Sequence, residues 1–233
     1  MTCIGLIGGM SSESSAEYYR LLNELVRERD GGLHSAECVL WSVDFAAVER
    51  LQVEGRWAEA GDLLAGVARK VEAAGADVLL LCTNTMHKVA DAVEAAVDIP
   101  LVHLVDTTAA AVQRGRFRTV GLLGTRFTME DDFYVDRMAA HGIRAIVPGA
   151  ADREVVHRVI YEELCRGIVR EESRAAYVEV VRRLGEAGVE AVVLGCTEIE
   201  LLLRPGDVRL PLLPSTRLHV EAALAFVPVT PGA

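Results

Sequence analysis

The chain has 233 residues, the size of one large domain or two small ones, and its 24 Lys and Arg against 34 Asp and Glu leave a net charge of −10. That balance argues against a nucleic-acid backbone or an anionic membrane surface as main partner, and points to a small-molecule ligand. Hydrophobic residues make up 51%, enough for a sizeable core, yet apolar runs such as 78–81 fall far short of the roughly 20 residues that span a bilayer.

The opening MTCIGLIGGM lacks a basic stretch ahead of its few apolar residues and reads as a first strand rather than a signal peptide, which places the protein in the cytoplasm. Short apolar runs then alternate with helical patterns throughout, the pattern of a parallel sheet covered by helices. Eight strands are expected, at residues 3–7, 38–43, 77–81, 101–104, 119–123, 143–147, 191–194 and 210–213, four in each half. Between them Ala60, Leu63, Leu64, Val67, Ala68 and Val71 follow the spacing of an amphipathic helix, with Gly75 placed as its C-terminal cap. Thr128 with Asp131 reads as a capping box, Asp106 and Ser215 as N-caps, and Pro100 and Pro211 as strand starts. Gly5, Gly8 and Gly9 lack the G-x-G-x-x-G spacing of a dinucleotide site and are assigned to a tight turn near the ligand.

The chain also repeats itself. Ile4-Gly5-Leu6-Ile7-Gly8 matches Val120-Gly121-Leu122-Leu123-Gly124 at an offset of 116 residues, and Ala74-Gly75 leading to Cys82-Thr83 matches Ala187-Gly188 leading to Cys196-Thr197, with the cysteines offset by 114. The shared Cys-Thr pair after both strands makes a pseudo-symmetric duplication the better account than the generic repetition of any α/β protein.

Five cysteines, Cys3, Cys38, Cys82, Cys165 and Cys196, are an odd number without close pairing, so free thiols are expected. Without C-x-x-C or H-E-x-x-H, no metal is expected. Only Lys70 and Lys88 are available for a pyridoxal phosphate Schiff base, a weak prospect.

Cys82 and Cys196 lie beyond the carboxyl ends of strands, where open α/β sheets bind ligands. Each precedes a helical pattern, whose N-terminal dipole is expected to lower the thiol pKa. If the halves face each other, the sulfurs flank a cleft. Inverting a carbon that bears an acidic hydrogen needs a base on one face and an acid on the other, and two symmetric thiols supply both without a cofactor. Cys3, Cys38 and Cys165 read as small buried hydrophobes.

Gly8-Gly9-Met10-Ser11, Cys82-Thr83-Asn84-Thr85-Met86-His87 and Gly195-Cys196-Thr197-Glu198-Ile199 resemble the signature segments of the aspartate/glutamate racemase family, the cofactor-independent two-cysteine amino-acid racemases. Gly32-Leu33-His34-Ser35-Ala36 and Ser42-Val43-Asp44-Phe45 bring it nearest the broad-specificity branch. The resemblance implies two α/β, Rossmann-like parallel-sheet domains with the active site in the cleft between them. Residues 1–105 form the first, with 214–233 packing back on it, and 106–213 the second. It further implies a homodimer, an amino-acid substrate, and Cys82 as donor and Cys196 as acceptor when the L-enantiomer reacts.

Met10, Gln52, Thr83, Asn84 and Thr85 match substrate-holding positions, and short polar side chains with backbone N–H groups at a helix start suit a carboxylate. Helix capping by Thr83 or Asn84 is the plainer alternative. Thr125 and Thr197 mirror them in the second half. Glu198 either orients a thiol or stabilises a helix dipole, the two readings being even, and His87 reads as a buried hydrogen-bonding residue. Aspartate-selective relatives carry a lysine where this chain has Cys165, followed by Arg166, which favours broad specificity over a narrow aspartate or glutamate racemase; Arg50 or Arg166 remains a possible cation. A non-catalytic amino-acid binder is the alternative of a different class, and thiol redox chemistry a weaker one, since the two cysteines lie far apart in sequence.

Overall fold

A computed structural model of the chain describes residues 2–227. They fall into two compact units, one of residues 2–104 with 219–227, the other of residues 105–218. Both are α/β units built on a parallel sheet.

The first unit contains β1 (Ile4–Gly8), α1 (Ser12–Asp30), β2 (Cys38–Ser42), α2 (Phe45–Val53), α3 (Trp57–Ala73), β3 (Val78–Leu81), a 3-10 helix (Thr85–Val89) and α4 (Ala90–Glu94). Its sheet has the order β2-β1-β3. Period-two alternation in β1 and β3 sends Ile4, Leu6, Val78 and Leu80 to one face, against Tyr18, Leu22 and Val26 of α1. Ile7, Leu79 and Leu81 face the other way, against Leu64, Val67 and Val71 of α3. Both faces of the central strand are therefore covered, and β1 and β3 are buried throughout. The helix expected around Ala60 to Val71 is α3; its C-cap is Ala74, and Gly75 follows at φ 98° with its N–H on the Glu72 carbonyl.

The second unit runs α5 (Leu104–Arg114), β4 (Thr119–Gly124), α6 (Arg126–Glu130), α7 (Asp132–Ala140), β5 (Arg144–Ile146), α8 (Ala150–Glu162), a 3-10 turn (Leu164–Arg166), α9 (Glu171–Glu186), β6 (Ala191–Gly195), α10 (Ile199–Leu202) and β7 (Leu212–Pro214); α11 (Ser215–Leu224) follows, and from His219 on it belongs to the first unit. Its strand order is β5-β4-β6-β7. Leu123, Val192 and Leu194 pack with Val156, Val159 and Ile160 of α8 and with Tyr177, Val180 and Leu184 of α9.

The repeat in the sequence is a repeat in topology. β1 and β4 are both central, β2 and β5 flank them on one side, β3 and β6 on the other, and Gly5 pairs with Leu79 as Gly121 pairs with Val192. The fourth position differs. β7 is a strand in the second unit, but the strand expected at 101–104 is a single bridge between Leu79 and Leu101. The ladder continues only to the Val102 N–H, on the Leu79 carbonyl, because the Leu104 N–H turns instead to Nε2 of His87 at 3.1 Å and α5 begins there.

The cap assignments also change. Thr125, not Thr128, caps α6, accepting from the Thr128 N–H, and Asp131 ends that helix. Asp106 lies in the first turn of α5, where its carboxylate takes Arg137 at 2.7 Å through both oxygens. Ser215 is the first residue of α11 and donates its hydroxyl to the Leu194 carbonyl at 2.7 Å. The strand expected at 210–213 starts at Leu212, with the Pro211 carbonyl accepting from Val192.

Candidate active site

In the first unit the residues singled out gather at the carboxyl ends of β1 and β3. Gly9 makes the turn out of β1 at φ 89°, and a side chain there would meet the Val43 carbonyl at 2.2 Å. Glycine is therefore required for the chain to pass. The turn delivers Met10, buried beside Val48, Leu51 and Met86, and then Ser11, which caps α1 through the Ser14 N–H. Beyond β3, Cys82 is fully buried, and Thr83, Asn84 and Thr85 are buried with it. Gln52, on α2, places its amide nitrogen 2.9 Å from Met86 Sδ, while its buried Oε1 has no hydrogen-bond partner.

Two groups hold this turn, of which the sequence reading weighed His87 but not Ser14. Ser14 Oγ donates to the Cys82 carbonyl at 2.9 Å, which ties α1 to the cysteine. His87 accepts from the Leu104 N–H at Nε2, so its Nδ1 carries the proton that bonds the Thr83 carbonyl at 2.8 Å. His87 is thus a neutral, buried, hydrogen-bonding histidine, as expected. No side chain caps the 3-10 helix, so the capping alternative for Thr83 and Asn84 falls away.

In the second unit the carboxyl ends of β4 and β6 approach closely. A Cβ on Gly124 would lie 2.9 Å from the Gly195 carbonyl oxygen, and one on Gly195 would lie 2.8 Å from that of Leu123. The two glycines let Thr125 and the Cys196-Thr197 turn follow neighbouring strand ends, all three residues being buried. Thr125 Oγ1 serves as the cap already described. Glu198 is 4% exposed, and its Oε2 accepts from Cys196 Sγ at 2.9 Å. Of the two readings left open for Glu198, the structure thus has its carboxylate orienting a thiol. Cys165 corrects another expectation: it is only half-buried, and its Sγ donates to Glu198 Oε1 at 3.7 Å.

The electrostatics run against the expected dipole effect. Burial pushes both thiols well above the ordinary cysteine value, and at Cys196 the Glu198 carboxylate adds to the rise. The elements that follow are a five-residue 3-10 helix and a four-residue α-helix, too short for aligned peptide dipoles to offset desolvation.

All five cysteines are free. Among the described residues no group of three His, Cys, Asp or Glu side chains is arranged to hold a metal ion. Lys70 lies over Trp41 at 4.7 Å and Lys88 over Trp57 at 4.0 Å. Arg50 and Arg166 are exposed.

Residues 7–223 match the model of the Asp/Glu/Hydantoin racemase family. The chain belongs to this family. A proposed Asp/Glu racemase from Yersinia pestis is 48% identical, with a TM-score of 0.89 over 97% of this chain and 99% of that one. An aspartate racemase homologue from Pyrococcus horikoshii is 31% identical, with a TM-score of 0.85 over 97% and 98%. A stretch of 162 residues is 30% identical to the glutamate racemase of Koribacter versatilis, taking in 61% of this chain and 51% of that protein. The chain thus spans about half the length of that relative. The relatives named as racemases are isomerases of amino acids, and the α/β fold with two parallel sheets is the one this chain shares with the family. Among the described residues no helix is long and apolar enough to cross a membrane.

Proposed function

We propose that this protein is an amino-acid racemase that moves the α-proton between two sulfurs, Cys82 and Cys196, without pyridoxal phosphate or metal. The observation that carries the reading is the repeated buried Cys-Thr turn, once beyond β3 and once beyond β6, in a member of this family. One cysteine acts as thiolate and takes the α-hydrogen as a proton, and the electron pair left behind is delocalised into the substrate carboxylate. The other cysteine acts as thiol and delivers its proton to the opposite face. The two sulfurs then hold exchanged protonation states, ready for the opposite enantiomer. When the L-enantiomer reacts, Cys196 accepts and Cys82 donates.

Met10, Gln52, Thr83, Asn84 and Thr85 from the first unit, with Thr125 and Thr197 from the second, hold the substrate. The free Oε1 of Gln52 suits an ammonium or hydroxyl donor on the substrate. Broad specificity is preferred to strict aspartate or glutamate selectivity, since the half-buried Cys165 turns its thiol to Glu198 where a cation would favour an acidic side chain. We further propose that the protein works in the cytoplasm, where thiols stay reduced, and as a homodimer.

Incubating the protein in deuterated water with each L-amino acid, without cofactor, tests the reading. Chiral chromatography with mass detection is expected to show the D-enantiomer carrying one α-deuterium for several amino acids. Turnover of aspartate or glutamate alone supports the narrow alternative. Tight binding with an unchanged enantiomeric ratio would replace the reading with a non-catalytic binder.

A further inference from the structure

The two thiols differ in what lies beside them. In the second unit one carboxylate, Glu198, joins two sulfurs: Cys196 donates to Oε2 at 2.9 Å and Cys165 to Oε1 at 3.7 Å. Cys196 is buried at 8% exposure, Glu198 at 4%, and Cys165 reaches the surface in part. In the first unit Cys82 is wholly buried, and its sulfur makes a long contact of 3.9 Å to the Leu80 carbonyl. A carbonyl oxygen accepts a hydrogen bond but has no proton to trade.

We propose that Glu198 and Cys165 form a proton-exchange path between Cys196 and water, so that a hydrogen taken up by Cys196 is traded with solvent while the substrate is still bound, whereas one taken up by Cys82 is kept until the ligand leaves. The proposal rests on the racemase reading above. In the first step the Cys196 S–H bond breaks and an O–H bond forms at Oε2, leaving a thiolate and a neutral carboxyl. Cys165 releases its own proton to water as hydronium. The carboxyl group turns about its Cγ–Cδ bond, and its proton passes to the Cys165 thiolate. The Cys165 S–H, exposed in part, trades its hydrogen with water, and reversal of the steps then consumes hydronium and returns a solvent hydrogen to Cys196. Charge and atoms balance, and no oxidant or reductant takes part. Glu198 and Cys165 are here exchange and positioning residues.

The consequence is a one-sided isotope pattern. In deuterated water, an L-amino acid deprotonated by Cys196 regains deuterium from the same face and returns to the L pool labelled. A D-amino acid deprotonated by Cys82 returns with its original hydrogen. The experiment takes the full-length protein and the L- and D-forms of the chiral proteinogenic amino acids. It reads α-deuterium in the recovered starting enantiomer at matched early conversion, so that slower variants are compared fairly.

For every substrate, recovered L is expected to carry at least about tenfold more α-deuterium than recovered D, because a buried group without an exchange partner trades hydrogen slowly. Cys165→Ala is expected to bring the L value down to the D value, and Cys165→Ser, whose hydroxyl keeps a donor beside Oε1 but is far too weak an acid to release its proton, to leave it there. A general loss of folding lowers conversion and exchange together and leaves this ratio unmoved. Equal labelling of both recovered enantiomers in the wild type overturns the proposal, as does one-sided labelling that survives Cys165→Ala. If deuterium enters neither product nor starting material, the racemase reading itself fails and the path has nothing to serve.

Discussion

His219, on α11, allows the acid sensitivity of the first unit to be worked out from geometry. Its Nε2 lies 2.7 Å from the Val102 carbonyl and must donate; its Nδ1 lies 2.8 Å from the Tyr18 hydroxyl, from which it accepts once the ring carries a single proton. The ring is fully buried beside the cluster that holds Tyr18, Val102 and Val220, and burial keeps it neutral. A second proton has to enter at Nδ1, against the Tyr18 hydroxyl and without water. Burial, with the nearby His87, holds the imidazole down to about 3, against an ordinary 6.5.

The unfolded chain therefore binds a proton at this histidine as pH falls through 6.5, while the folded chain does not until near 3. The stability tied to the neutral ring is fully present above 6.5 and is lost as pH falls toward 3. The slope approaches about 1.4 kcal/mol per pH unit, and the loss is about 2 kcal/mol by pH 5. Urea unfolding from pH 8 to 5, on the wild type and on His219→Gln, isolates the effect. The lost ring contacts give the variant a constant offset, and His157, whose imidazole burial also holds down, titrates alike in both and cancels. The difference between the two proteins is expected to shrink by about 2 kcal/mol between pH 8 and pH 5. Parallel curves would refute the reasoning.

Further outcomes follow from the site. Gly195→Ala puts a methyl group 2.8 Å from the Leu123 carbonyl oxygen and 2.9 Å from Leu122 Cδ1; thermal unfolding is expected to show a loss of about 1–3 kcal/mol, with a drop in kcat because Cys196 is displaced. Gly149→Ala, where a Cβ meets nothing within 4 Å, is the control, and equal melting temperatures for the two variants would reject the close approach of β4 and β6. Cys82→Ser and Cys196→Ser replace an acid–base thiol with a far weaker acid, and each is expected to lower kcat about 10²–10⁴-fold with a near-native melt; unchanged rates would remove the sulfurs from the chemistry. Ser14→Ala takes a buried donor from the Cys82 carbonyl at a cost of about 1–3 kcal/mol, to be read by urea unfolding; a cost below the scatter of the measurement would mean that another donor replaces it.

What the sequence made legible was whatever depends on local pattern. The short apolar runs at Ile4 to Gly8 and Val78 to Leu81, and the Cys-Thr repeat, placed the strands and both thiols because those signals lie within a few residues of one another. The fourth strand of the first half was misread for the opposite reason. Its hydrophobic run looks like a strand, but the Leu104 N–H is claimed by His87, seventeen positions earlier, and no local pattern records that bond. Cys165 was read as packing because its neighbours are helical, whereas its partner is a carboxylate 33 residues on. Thiol acidity was misjudged in sign because a helix start can be read from sequence, while the burial that outweighs a four- or five-residue helix cannot.

The duplication gives each unit a cysteine at the equivalent place, and burial then treats both alike by favouring the neutral thiol. Under the racemase reading that is only half of what turnover needs, since every cycle starts with one S–H and one thiolate. A pair of identical environments would offer no local reason for either sulfur to give up its proton. The symmetry is broken at Glu198, whose oxygen lies 2.9 Å from Cys196 Sγ, while Cys82 Sγ makes its 3.9 Å contact with the Leu80 carbonyl, which has no proton to trade. The same carboxylate that raises the Cys196 pKa in the resting protein is thus the nearest acceptor when the thiol ionises. In this reading Cys196 becomes the first base and Cys82 the first acid. The assignment of roles follows from which residue each half placed two positions after its cysteine: Glu198 in the second, Asn84 in the first.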